Sequence, residues 1–282
     1  MSSASDRSAL PPPSLSPPLE VKPLPSELWP SIDHIVTEDG APVDNVFSEK
    51  QMRLLTESLY ASWQTAAPFV AFANVGLFYD VAFPPIVPDV LLSVGVRLPE
   101  NLFPKINRSY FVWAYGKSPE VAIEIVSNRQ GKEDTDKLAL YAKARVPNYY
   151  VFDPEHHLSD EILRGFKLGG GHYTPMSNPT SMIEQVQLRL TLWNGRYEDT
   201  DGLWLRWVDS NGELLATGFE FAQQQKRLAA EESRRAAEES RRAAEESQRA
   251  AEESRRAEEA ELEKKRLIEL LKQHGIDPHG QG

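Results

Sequence analysis

VAIEIVSNRQGKEDTDKLALYAKARVPNYYVFD, residues 121–153, reads as strand, helix, strand. VAIEIV (121–126) and YYVFD (149–153) are short runs rich in β-branched and aromatic residues. Between them Leu138, Tyr141, Ala142 and Arg145 recur at helical spacing, which predicts a helix over 134–145 with Pro147 at its exit. A crossover of this kind lets the two flanking strands lie parallel in one sheet.

Upstream, Ser48 with Gln51 reads as a capping box, and Leu54, Leu55, Leu59 and Trp63 form an apolar stripe, so a helix is expected over 48–63. FVAFANVGLFY (69–79), DVLLSV (89–94) and SYFVWAY (109–115) read as strands punctuated by Pro, Gly and Asn. Downstream, YTPM (173–176), VQLRLTLW (186–193) and LWLRWVD (203–209) are further β-like pieces, the last followed by an Asn211-Gly212 turn signal. These are expected to extend or cover the same sheet. The order fits an α/β class with a mixed central sheet flanked by helices.

Four regions differ in composition. Residues 1–44 contain PPPSLSPP and read as a Pro-rich, largely disordered arm. Residues 45–222 are the globular part, with 16 Lys and Arg against 21 Asp and Glu, a net charge of −5. That is no electrostatic footprint for gripping a phosphate backbone unaided. Residues 223–275 carry the seven-residue repeat AAEESRR from Ala229 to about Arg256, in which Glu231–Arg235, Glu238–Arg242, Glu245–Arg249 and Glu252–Arg256 stand acid-first at i, i+4. A long charged helix is expected, and an Ala/Ser seam leaves both a solvated helix and a coiled coil open. Its apolar end, EKKRLIELLKQHGI, is expected to stop at Gly275, and 276–282 to form a disordered tail.

The chain has no Cys, so disulfides and thiolate zinc sites are excluded. No signal-peptide pattern or membrane-length apolar run occurs, and a soluble cytoplasmic protein without membrane partners is the expectation. There is no Gly-x-Ser-x-Gly elbow or P-loop, and Gly169-Gly170-Gly171 lacks the Lys-Ser/Thr that phosphate binding requires. The six His have no zinc spacing. Trp193, Trp204 and Trp207 read as core or sheet cover rather than base-stacking platforms.

Asp89 and Glu124 interrupt apolar runs, where an unpaired carboxylate is costly, so each is expected to meet a cation. Two such acids suggest a shared divalent ion. Period two places Glu124 on one face with Ala122 and Val126. The plainer alternatives are a strand cap for Asp89, a structural salt bridge for Glu124 and a solvated Lys137. Glu133, Asp134 and Asp136 read as helix-dipole partners, and Asp153 as turn chemistry.

VPDV, EIVSN and DTDKLALYAKARVPNYYVFDP together closely resemble the Uma2 family, bacterial proteins classed with the restriction endonucleases in the PD-(D/E)XK nuclease superfamily. The match covers about residues 40–220, and the Lys-x3-Tyr, Val-Pro-x-Tyr-Tyr, Asp-Pro spacing is its most specific part. The resemblance implies a restriction-endonuclease-like fold plus a long C-terminal α-helix, with Asp89, Glu124 and the Ile125 carbonyl holding Mg²⁺, or Mn²⁺. It implies DNA as the substrate, bound weakly or salt-sensitively. The superfamily Lys, two residues after Glu124, is replaced here by Val126; Lys137 stands where family members carry a Lys on the next helix, with Lys132 and Arg129 as rivals. A homo-oligomer through the nuclease domain or the C-terminal helix is a further expectation. The alternative is a catalytically silent binding or assembly protein that works through that helix.

Overall fold

Asn45 opens the first helix, α1 (Val46–Ser62), by accepting the Ser48 backbone N–H on its side chain at 2.8 Å. The cap is therefore Asn45 rather than Ser48, and the Gln51 of the expected box is used elsewhere. The computed structural model describes residues 23–35, 45–127 and 136–273. After α1 come β1 (Phe69–Ala73), β2 (Leu77–Phe78), β3 (Val90–Val94), β4 (Tyr110–Phe111), the short helix α2 (Val112–Tyr115) and β5 (Val121–Ile125). Then follow α3 (Asp136–Lys143), β6 (Asn148–Phe152), β7 (Leu163–Gly169), β8 (His172–Pro175), β9 (Arg189–Tyr197), β10 (Thr200–Val208) and α4 (Gly218–Gln273).

Six strands form one mixed sheet in the order β1-β3-β5-β6-β7-β8. β5 and β6 are parallel, as the helical crossover predicts, and the other pairs are antiparallel. This is the mixed, helix-flanked α/β sheet of the restriction-endonuclease-like class. Both faces are buried, and the alternation of β5 divides them. Val121, Ile123 and Ile125 join a core with Leu55 and Leu59 of α1 and with Leu205 and Trp207 of β10. Ala122 and Val126 join the opposite core with Tyr141 of α3 and Tyr149 of β6.

Several expectations change. FVAFANVGLFY breaks into two strands because Asn74 adopts a left-handed backbone, φ 53°. SYFVWAY leaves the extended conformation after Phe111 and turns into α2, which ends on left-handed Gly116. β7, from ILRGFKLG, was not among the expected strands. β9 and β10 form their own two-stranded sheet, so they cover the central sheet without extending it. Their hairpin turns on Glu198 and Asp199, φ 43° and 63°, while Asn211-Gly212 makes only a short turn closed by a Val208–Leu214 bridge. Trp204 and Trp207 are fully buried, in agreement with a core role.

Side chains complete two strand margins. Gln51, fully buried, donates to the Leu205 carbonyl at 2.8 Å and accepts from the Leu205 N–H at 2.9 Å, so it pairs with β10 as a strand would. At the outer strand β1, the Tyr60 hydroxyl accepts the Ala71 N–H at 2.9 Å and donates to the Ala71 carbonyl at 3.3 Å. Each buried group left unpaired costs about 1–3 kcal/mol. Gln51→Ala is therefore expected to lower stability by about 3 kcal/mol, read as a fall in the urea midpoint at unchanged m-value.

The chain divides into two units, Met1–Phe221 and Ala222–Gly282. Within 23–35, Leu24 donates its N–H to the Trp113 carbonyl and Lys105 Nζ donates to the Asp33 carbonyl. The remainder of the expected arm, Gly275 and the tail 276–282 lie outside the described residues. The α4 root is fixed by a true capping box, since Thr217 Oγ1 accepts the Glu220 N–H and Glu220 Oε2 accepts the Thr217 N–H. Glu220 also pairs with buried Arg206 at 2.6 Å. Along α4, Glu238–Arg242 and Glu252–Arg256 form as expected at 2.7 and 2.8 Å, whereas Glu245 is taken by Arg241. Among the described residues no helix is long and apolar enough to cross a membrane.

Candidate active site

The antiparallel pairing of β3 with β5 brings the start of one strand and the end of the other to the same rim of the sheet. Asp89 immediately precedes β3, and Glu124 and Ile125 end β5. Asp89 Oδ2 accepts the Ile125 backbone N–H at 2.6 Å, which ties the two strand ends together. The Val126 N–H turns the other way, to the Phe152 carbonyl on β6. Because one residue's N–H and C=O point to the same side of a strand, the Ile125 carbonyl is directed to the Asp89 edge.

Glu124 lies on the face of Ala122 and Val126, as period two predicts, and α3 covers it. Its side chain is 2% exposed, and two donors from α3 meet its two oxygens. Lys137 Nζ donates to Oε2 at 3.0 Å, and the Tyr141 hydroxyl donates to Oε1 at 2.5 Å. Lys137 and Tyr141 are four residues apart, one turn of the same helix, so a single helical face delivers both groups.

Burial dominates the electrostatics. It pushes the Glu124 carboxyl up to about 8; Lys137 opposes the shift, the negative charge of Asp89 adds to it, and the bonds from Tyr141 and Lys137 again oppose it. Burial also drives the Tyr141 hydroxyl well above its ordinary value, and the Glu124 charge adds to that, so Tyr141 stays a donor. Tyr141 is fixed against Tyr149, ring centroids 4.6 Å apart.

This donor set fits a hard divalent cation. A buried carboxylate that holds its proton to about pH 8 is short of positive charge, even with Lys137 beside it. Two carboxylates and a backbone carbonyl on one rim are oxygen donors of the kind that hard divalent cations take. Among the described residues no group of three or more His, Cys, Asp or Glu stands at metal-binding spacing. Val126, two residues after Glu124, is 2% exposed and packed into the core beneath α3.

The structure thus brings Asp89, Glu124, Ile125 and Lys137 together. Arg129 and Lys132, the rival cations, and Glu133 and Asp134 lie outside the described residues. Asp136 is exposed in the first turn of α3. Asp153 is fully buried and accepts the His157 and Leu158 backbone N–H groups at 2.8 and 2.7 Å, the turn role expected of it. Tyr141 is the member that sequence reading passed over as a functional group. Its signal was the Lys-x3-Tyr spacing, which puts it one turn beyond Lys137.

A family model with the description "Putative restriction endonuclease" (Uma2) matches residues 40–195, a span that includes every residue of this cluster. No curated protein matches the chain.

Proposed function

The chain belongs to the Uma2 family, and from that membership we propose a Mg²⁺-dependent endonuclease that hydrolyses phosphodiester bonds of DNA, with Mn²⁺ as a substitute ion. The observation that supports this reading best is the meeting of Asp89, Glu124 and Lys137, distant in sequence, at one sheet rim. Asp89, Glu124 and the Ile125 carbonyl would hold the ion. Bound there, a divalent cation supplies positive charge to the scissile phosphate and a more acidic water.

The protein's own groups account for the rest. Tyr141 fixes the Glu124 carboxylate, and the Ile125 N–H fixes that of Asp89, so neither has to reorganise during reaction. Lys137, on a four-carbon stem and 27% exposed, orients the attacking water and offsets charge developing on the phosphate. The water oxygen bonds to phosphorus and gives up one proton to solvent, the phosphorus–oxygen bond to one sugar breaks, and that sugar oxygen takes up one proton from solvent, so the two proton transfers balance.

Nicking of supercoiled plasmid by the full-length protein tests this directly. Cleavage is expected with Mg²⁺ or Mn²⁺ and none in EDTA. A second reading, a binding or assembly protein that works through α4, draws support from the buried Val126 in the superfamily's Lys position. Inactivity of the wild type with both ions would favour that second reading and count against the enzyme.

A further inference from the structure

A cleft of about 690 Å³ opens where the C-terminal end of α3, the loop after β2 and the tip of the β7–β8 hairpin meet. We propose that this cleft binds a backbone phosphate of the DNA at a distance from the scissile bond; the assignment rests on the nuclease reading. Its lining includes Lys143 and Arg145, both exposed, and among the described residues neither makes an ion pair. Asp80 is the lining's carboxylate, and its Oδ1 already accepts the Ala82 N–H. The balance of charge therefore favours an anion, although the globular part as a whole is acidic.

Lys143 has an aromatic neighbour in the cleft. The Lys143 ammonium lies 5.6 Å from the centroid of the Phe83 ring, which stacks on Tyr79 at 6.1 Å. Opposite, Gly169 and Gly171 have nothing within 4 Å of where a Cβ would stand, so a phosphate can approach the hairpin backbone.

Arg145 gives the sharper indication. The Val146 N–H bonds the Tyr141 carbonyl and the Arg145 N–H bonds the Ala142 carbonyl, the pattern of a Schellman cap with Arg145 at C′. Its φ is +57°, the left-handed conformation that glycine adopts without strain and a side-chain-bearing residue does not. Helix termination alone would be better served by Gly, and the strained position here places a guanidinium on the cleft lining.

The cleft connects to the reaction centre by two routes. Lys143 lies six positions beyond Lys137 on α3, a rise of about 9 Å, which equals between two and three base-pair rises along a duplex axis. The loop that carries Phe83 runs directly on to Asp89.

The test is duplex binding by the full-length protein in EDTA, followed by fluorescence anisotropy across a salt series, with wild type, Lys143→Gln and Arg145→Gly. Each variant is expected to bind about 3- to 10-fold more weakly at moderate salt and to lower the salt slope by about one. Arg145→Gly is also expected to melt at or above the wild-type temperature, which separates lost contact from lost fold. Wild-type affinity and slope in both variants would overturn the assignment, as would a wild type that does not bind the duplex. Protection by inorganic phosphate with duplex affinity unchanged in the variants would assign the cleft to a free anion and overturn it too. Weakened binding by the variants of a protein that never nicks plasmid would keep the cleft and reject the catalytic reading; nicking by wild type with variant binding unaltered would do the reverse.

Discussion

Glu124→Gln is expected to reduce metal-dependent nicking by at least about 10³-fold while flattening the pH dependence of the metal-free protein's stability. Both effects come from one buried carboxyl. Its folded pKa of about 8 exceeds the ordinary unfolded value, so the folded state holds a proton that the unfolded state has released. The stability contributed by that proton is complete below the unfolded carboxyl pKa, declines as pH rises and is lost once pH passes about 8. The amide does not titrate; its oxygen still accepts from Tyr141, while its NH2 faces the Lys137 ammonium and that bond is lost. Thermal melts in EDTA from pH 5 to 9 should therefore show wild type losing stability, by a few kcal/mol in all, while Glu124→Gln stays nearly flat over that range. Adding Mg²⁺ should raise the wild-type melting temperature, with release of up to about one proton, and leave the variant unmoved. A variant that still nicks, or whose stability falls between pH 5 and 9 as steeply as that of wild type, would remove Glu124 from the role assigned to it.

Lys137→Ala is the second large effect, with an expected fall in cleavage of about 10²–10³-fold. Lys137 is the cation seen on Glu124, and its removal leaves that carboxyl with the Tyr141 bond but without the charge opposing its burial. The variant's carboxyl should consequently hold its proton to higher pH, and the steep part of its pH–stability profile should shift upward. That shift is the readout that ties Lys137 to the Glu124 carboxyl. Restoration of cleavage by Lys137→Arg would indicate that charge suffices, whereas its failure would indicate that the shape of the ammonium matters.

Much of this site could be read in the residues themselves, because burial is written in strand patterns. An acid inside VAIEIV has nowhere polar to go, and the observed 2% exposure of Glu124 follows from that. Period two gave its face, and the crossover between β5 and β6 gave the parallel pairing. Asp89 was harder to assign, since an acid after Pro88 is equally good as a strand cap; only the antiparallel register with β5 places it beside Ile125. Lys137 depended on resemblance, because a Lys near a helix start is normally solvated and helical spacing alone does not say what lies beneath. The misreadings have separate causes. β7 mixes Arg, Gly and Lys into its pattern, and SYFVWAY carries strong β formers that tertiary packing bends into α2. The β9–β10 turn uses two acids in the left-handed region, where no glycine announces it.

The Tyr60 hydroxyl has one more consequence. An unprotected lateral strand is a template on which a foreign segment can template its own hydrogen bonds, the usual beginning of runaway self-association. By occupying both the amide and the carbonyl of Ala71, a single phenol closes that flank in the middle of β1. Lateral growth of the sheet is thereby hindered at Ala71, on the side where β1 ends it.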